Sequence, residues 1–171
     1  GKNPARTGNA LGGLKGTFAC KPGGPDDYVF ISTGPSNPKT VQALYQTIGR
    51  EDLAADPTTH SRAWTLQHGD EVNASIEAWT LERTKHEAMR LLQDVGVPAG
   101  ATLTAEDIYH DPHLIERDMV VDIDHPERGH TKLMGNPVKL SASPVEVTTP
   151  PLLSQHTEDV LSKVLGLSKI E

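Results

Sequence analysis

Cysteine is almost missing from this 171-residue sequence. Cys20 stands alone, which excludes an internal disulfide framework and fits a reducing compartment. Aromatic residues are nearly as scarce, with two Phe, two Trp and three Tyr, so Leu, Val, Ile and Ala on helices must supply most of the burial. No apolar run approaches the length of a membrane span, and no signal-peptide core precedes the first expected strand. Positive charge is also short. A formal net charge of −7 argues against a general binder of nucleic-acid backbones, which needs clustered Lys and Arg, but leaves room for a local basic pocket. A cytoplasmic protein is expected, of one domain or one domain and a piece of another.

Glycine, by contrast, is concentrated at the start. GKNPARTGNALGGLKG has no initiator Met and holds five of the 15 glycines. It reads either as a terminus or as an internal loop whose upstream half lies elsewhere. Beyond it, Thr17–Cys20 and Tyr28–Ser32 have strand composition, and the turn-rich Lys21–Asp27 between them predicts a hairpin. Asn37-Pro38 opens a helix with an apolar stripe at Val41, Leu44, Tyr45 and Ile48, ended by Gly49. A second helix is expected from Asp70, turning Val72, Ile76 and Trp79 inward. A third begins with the capping-box pair Thr84 and Glu87, carries Ala88, Leu91, Leu92 and Val95, and stops at Gly96 and Pro98. Val97–Leu103 then reads as a turn into another short strand.

From Thr104 to Arg128 acidic residues prevail. Two short helices, at Glu106–His110 and His113–Arg117, and a strand at Met119–Asp124 are expected. Strand-like pieces follow at Thr131–Met134 and Val138–Leu140, then a Pro-bearing passage and a last helix, His156–Leu165, with its stripe at Val160, Leu161, Val164 and Leu165. The fold class is α+β: a small domain of short antiparallel strands packed with helices, then an extended arm. The arm, from about Gly135, has little helix signal and no evident partner sheet. We expect it to dock on another surface.

The chemical candidates thin out on inspection. His110, Asp111 and His113, and the run Asp122-Ile123-Asp124-His125-Pro126-Glu127, lack the three or four convergent ligands of a zinc site, so no metal site is expected. No Gly-x-Ser-x-Gly elbow is present, and Cys20 lies in a strand, where a small core residue is the plainer reading. No Asp or Glu has a paired partner or apolar setting that marks it as catalytic, and His86 reads as a surface helical residue. The stretch Gly8, Asn9, Ala10, Leu11, Gly12, Gly13 is neither a Walker loop nor a dinucleotide fingerprint. Its glycines permit positive φ and close approach of the backbone to a ligand. By itself it reads as a linker or as a functional loop.

Taken in order, several pieces resemble the family III coenzyme A transferases, the CaiB/BaiF group that includes formyl-CoA transferase. They are Arg6-Thr7-Gly8-Asn9-Ala10 with its glycines, the hairpin from Phe18 to Ile31, Gly96-Val97-Pro98-Ala99-Gly100, and His110-Asp111-Pro112. Gly135-Asn136-Pro137-Val138-Lys139-Leu140-Ser141 and the Pro150–Thr157 approach to the last helix complete the series. The likeness implies that this is the C-terminal portion of a longer chain. Residues 1–16 would be a glycine-rich loop, 17–120 the small α+β domain, and 121–171 the arm and terminal helix returning to a Rossmann-like large domain.

The same likeness implies an interlocked homodimer. It also implies transfer of CoA between an acyl-CoA and a carboxylic acid through an aspartyl anhydride and thioester, with no prosthetic group. The catalytic aspartate would lie upstream, so no catalytic residue is assigned in this chain, and the chain alone is expected to be inactive. Gly8, Asn9, Ala10, Gly12 and Gly13 correspond to the loop that gates the substrate, although Leu11, Leu14 and Lys15 depart from the pattern of formyl-CoA transferase. An acyl-CoA racemase on the same scaffold and a non-catalytic assembly module are the alternatives.

Overall fold

The chain alternates buried and exposed residues over two five-residue strands, and each alternation puts one face on a core. The structure is a computed structural model that describes residues 14–34 and 36–168. Its residues fall into a first unit ending at Thr104 and a second beginning at Ala105. In the first, β1 (Lys15–Ala19), β2 (Tyr28–Ser32) and β3 (Ala99–Ala101) form an antiparallel sheet in that order. The register sets Phe18 opposite Val29 and Gly16 opposite Ile31, so these four share the buried face while Lys15, Thr17 and Phe30 look outward.

Helices cover the buried face. They are α1 (Pro38–Thr47), α2 (Glu51–Ala55), α3 (Arg62–Gln67), α4 (Gly69–Leu81) and α5 (Lys85–Asp94), with a 3-10 turn at Pro57–His60 between α2 and α3. Val41, Leu44 and Tyr45 of α1, Val72 and Ile76 of α4, and Ala88 and Leu92 of α5 are fully buried against Val29 and Ile31. Each buried Val, Leu or Ile contributes about 1.5–3 kcal/mol relative to exposure, so this cluster accounts for the stability of the unit. Arg50 ties α2 to α4, donating to Asp52, to Glu71 and to Ser75 Oγ at 2.8–2.9 Å.

The expected capping box is present. Thr84 Oγ1 accepts from the Glu87 N–H at 3.2 Å, and Glu87 Oε2 accepts from the Thr84 N–H at 2.8 Å. At the other end of α5, Gly96 has φ +79°. Its N–H and that of Val97 close back on Gln93 O and Leu92 O, both at 2.9 Å, a Schellman ending that needs a left-handed residue. The Gly-Val-Pro sequence thus has a mechanical reason, because it stops the helix and aims β3 at β2. The Thr84 amide and hydroxyl, with help from Lys21 and Arg90, hold the Glu87 carboxyl below its ordinary 4.5. A lowered carboxylate contributes stability above that value and loses it as pH falls through the folded-state pKa. Thr84→Ala is expected to cost about 1 kcal/mol at neutral pH. Glu87→Gln, which keeps an acceptor for the cap, is expected to flatten the loss of stability below pH 4.5. Urea midpoints at neutral and acid pH measure both.

Several expectations need correction. Residues 51–67, for which no element is expected from the sequence, hold α2, the 3-10 turn and α3. On α5, Leu91 and Val95 are 45% and 46% exposed, so only Ala88 and Leu92 of the expected stripe reach the core. The last helix is reduced to a single α-turn at Thr157–Asp159 and a π-helical turn at Val160–Val164.

In the second unit α6 (Ala105–His110) and α7 (Pro112–Glu116) precede a hairpin of β4 (Val120–His125) and β5 (Gly129–Met134), paired from Val120↔Met134 to His125↔Gly129. Asp111 caps α7, its Oδ1 accepting from the Leu114 N–H at 2.9 Å, ahead of Pro112 at the first helical position. Only Val120 and Ile123 of this unit are buried among the described hydrophobic residues. Val138–Leu140 forms no strand, and Val138, Leu140, Val145, Leu153, Val164 and Leu165 are each more than half exposed. A short helix with no surface against which to bury its stripe gains little from regular winding.

Candidate functional site

The glycine-rich candidates Gly8, Asn9, Ala10, Gly12 and Gly13 lie outside the described residues. What is described begins where that stretch meets the sheet. Leu14 is fully buried in the core, and its carbonyl accepts from the Thr33 N–H at 3.4 Å. Leu14 therefore serves as the anchor of β1, and Lys15, beside it, is exposed.

The other candidates resolve into structural roles. Cys20 is fully buried; burial pushes its thiol up, and Sγ lies 3.8 Å from Phe18 O. A buried thiol of raised pKa is a poor nucleophile, as its strand position suggested. The His125 ring accepts at Nδ1 from the N–H groups of Glu127 and Arg128, both at 3.2 Å, and so organises its own turn. His130 reaches across the hairpin to Asp122 at 3.2 Å and Asp124 at 3.4 Å, all three exposed. Among the described residues no group of three or more His, Cys, Asp or Glu is placed to hold a metal ion.

The carboxylates of perturbed ionisation do not mark a catalytic centre either. Asp52 is lowered by its bond to Arg50, Asp56 by the Thr58 amide that it caps, and Glu87 by the Thr84 amide. Each is a structural acceptor held ionised, the reverse of a carboxyl raised to act as a general acid. His60, nine-tenths buried, lies against the Tyr45 ring with Nε2 3.3 Å from Leu53 O. Burial pushes the Tyr45 hydroxyl up to about 12. Sequence reasoning missed this pair, though Asp56-Pro57 and Ser61, each at a helix-cap position, marked the turn that brings His60 inward.

Open clefts lie among the described residues of the first unit. One, of about 500 Å³, mixes Lys21, Arg83 and Arg90 with Glu82, Glu87 and Asp94. Lys21 is paired with Glu87 at 3.8 Å, and Arg83 stacks over Trp79 at 4.2 Å, so its cations are largely engaged at home. Another, of about 340 Å³, runs between β1 and α4 past Lys15, Thr17, Asp70, Asn73 and Glu77. No described helix is long and apolar enough to cross a membrane.

The chemistry of these residues names no reaction. The family model "CoA-transferase family III" matches residues 1–157. A formyl-CoA:oxalate CoA-transferase of Streptomyces coelicolor is 39% identical over 173 aligned positions, covering 100% of this chain and 42% of the relative. One from Bradyrhizobium sp. is 37% identical, covering 84% of this chain and 33% of its own. Among solved structures, a CAIB/BAIF family protein from Brucella suis superposes with a TM-score of 0.73 at 24% identity, over 95% of this chain and 41% of that one. Rv3272 from Mycobacterium tuberculosis gives 0.63, also at 24%, over 83% and 38%. The structural likeness establishes a shared small α+β fold, and the chain spans less than half the length of each of these relatives. With a family model covering most of its residues and relatives aligned along its whole length, the chain belongs to the family III CoA-transferases.

Proposed function

We propose that the intact protein transfers CoA between an acyl-CoA and a carboxylic acid, and that these residues form its small domain and the arm returning to a larger domain. The alignment with formyl-CoA:oxalate CoA-transferases along the full length of this chain carries the reading. Residues 17–120 then form the small domain and 121–171 the return segment. The exposed apolar residues of that segment support this, since they lie in search of a surface. The working assembly is an interlocked homodimer in the cytoplasm that acts on CoA thioesters without a prosthetic group.

In this mechanism an aspartate upstream of these residues attacks the thioester carbonyl. The C–S bond breaks, leaving a mixed anhydride and the CoA thiolate. The thiolate attacks the aspartyl carbonyl, the donor acid leaves, and an enzyme-bound thioester remains. The acceptor carboxylate repeats the exchange in reverse through a second anhydride and departs as its CoA ester. Anhydrides hydrolyse readily, so water must be kept from the site while they persist. We assign that role to Gly8, Asn9, Ala10, Gly12 and Gly13. Leu14 is the fixed end of the loop, because it is part of the core.

Formyl-CoA and oxalate are the first pair to assay with the full-length protein. Movement of labelled CoA between acids supports the reading, whereas racemisation of a 2-methylacyl-CoA without an acceptor acid would replace it with the racemase alternative. The 171-residue chain alone is expected to be inactive. Gly12→Val and Gly13→Val in the full-length enzyme are expected to slow transfer or to increase acyl-CoA hydrolysis, with CoA affinity less affected. Unchanged turnover and hydrolysis in both would reduce the stretch to a linker.

A further inference from the structure

The strand β1 is the edge of its sheet, and its outer side is only partly covered. Cys20 N–H donates to Asp27 O at 2.8 Å, and Thr33 N–H to Leu14 O at 3.4 Å. With the register of β1 on β2, these bonds turn the main-chain groups of Leu14, Gly16, Phe18 and Cys20 toward β2. Those of Lys15, Thr17 and Ala19 turn outward. At Lys21 the outer side is occupied, since its N–H donates to Arg83 O at 2.9 Å beside a parallel bridge to Thr84. At Lys15 and Thr17 no main-chain bond to a described residue takes up the outward groups. Alongside runs the polar stripe Asp70, Asn73, Ala74 and Glu77 of α4, separated from β1 by the open groove of about 340 Å³. Asn73 Oδ1 is buried without a hydrogen-bond partner among the described residues.

We propose that in the full-length protein an extended segment of the same polypeptide, from outside these 171 residues, lies in this groove as an added strand on β1. It bonds to the outward groups of Lys15 and Thr17. Two observations favour it. Lys15 and Thr17 stand two residues apart, the repeat at which an added strand makes its bonds. An open edge is a template for pairing that working proteins cover or blunt. Asp70 and Glu77 on the wall favour a segment with Lys or Arg on its helix-facing side. The source follows from length, because the match to the Streptomyces coelicolor relative covers 42% of that protein and leaves more than half of it to supply the strand. A tethered segment also has the advantage of high local concentration over a second molecule.

Amide hydrogen exchange on the full-length protein tests the proposal without reference to catalysis, so its failure is separable from failure of the transferase reading. The Thr17 and Lys15 amides are expected to exchange about 100-fold or more slowly than solvent-exposed amides, to the same degree at all protein concentrations. Rapid exchange there overturns the proposal.

Discussion

Leu14→Ala is expected to lower the unfolding free energy of the first unit by about 2–5 kcal/mol. Leu14 is fully buried in the cluster that includes Phe18, Ile31, Leu44 and Ile76. The volume-conserving Leu14→Met is expected to cost less than about 1.5 kcal/mol. Both tryptophans, Trp64 and Trp79, belong to the first unit, so their fluorescence during urea unfolding reports that unit specifically. A loss for Leu14→Ala no greater than for Leu14→Met would show that the site is loosely filled.

Gly135→Ala is expected to destabilise the second unit by about 1–3 kcal/mol. A Cβ built at Gly135 would run into the main-chain oxygen and carbon of Asp118. Neither side can readily yield. Asp118 already occupies positive φ (52°), a conformation that costs a non-glycine residue energy, and the Gly135 N–H is bonded to Met119 O at 2.9 Å. The next residue completes the turn, Asn136 Oδ1 accepting from the Val138 N–H at 3.0 Å across Pro137. The Gly-Asn-Pro motif thus ties the end of β5 to the start of β4. The second unit has Tyr109 as its one aromatic residue and no tryptophan, so exchange of the β4 and β5 amides is the suitable measurement. Amides that exchange in Gly135→Ala as in the parent would show that the crowding is relieved at no cost.

Helices with a clear apolar stripe were legible in the sequence. The α1 stripe of Val41, Leu44 and Tyr45 is buried as expected, although the Asn37 side chain makes no capping bond among the described residues, and the Thr84 and Glu87 pair of α5 makes both of its reciprocal bonds. The stretch 51–67 escaped because α2 and α3 are too short for a stripe to show. Beside Leu53 and Ala54 of α2, the inward side chains of this stretch are Thr59 and His60 of the 3-10 turn and Thr65 of α3, and burial of the polar ones is supported by bonds such as Thr59 Oγ1 to Leu53 O at 2.7 Å. Polar residues buried in this way leave no hydrophobic period to read. Leu91 and Val95 misled for the opposite reason. Their type says core, but only the Ala88 and Leu92 line of α5 faces the sheet, and an exposed leucine breaks no rule of folding. Of the site, the inert setting of Cys20 could be read from its strand position. The glycine stretch was visible only as composition, since its role rests on residues outside this chain.

The second unit separates two requirements that usually coincide in one side chain. With only Val120 and Ile123 buried among its described hydrophobic residues, it takes almost no folding energy from Val138, Leu140, Val145, Val164 or Leu165. On the proposed docking of the return segment, polar replacements at those five positions are expected to pass unnoticed in a selection for a folded isolated chain and to be rejected only in a selection for the full-length enzyme. The mutational tolerance of this stretch would then record docking and say little about folding.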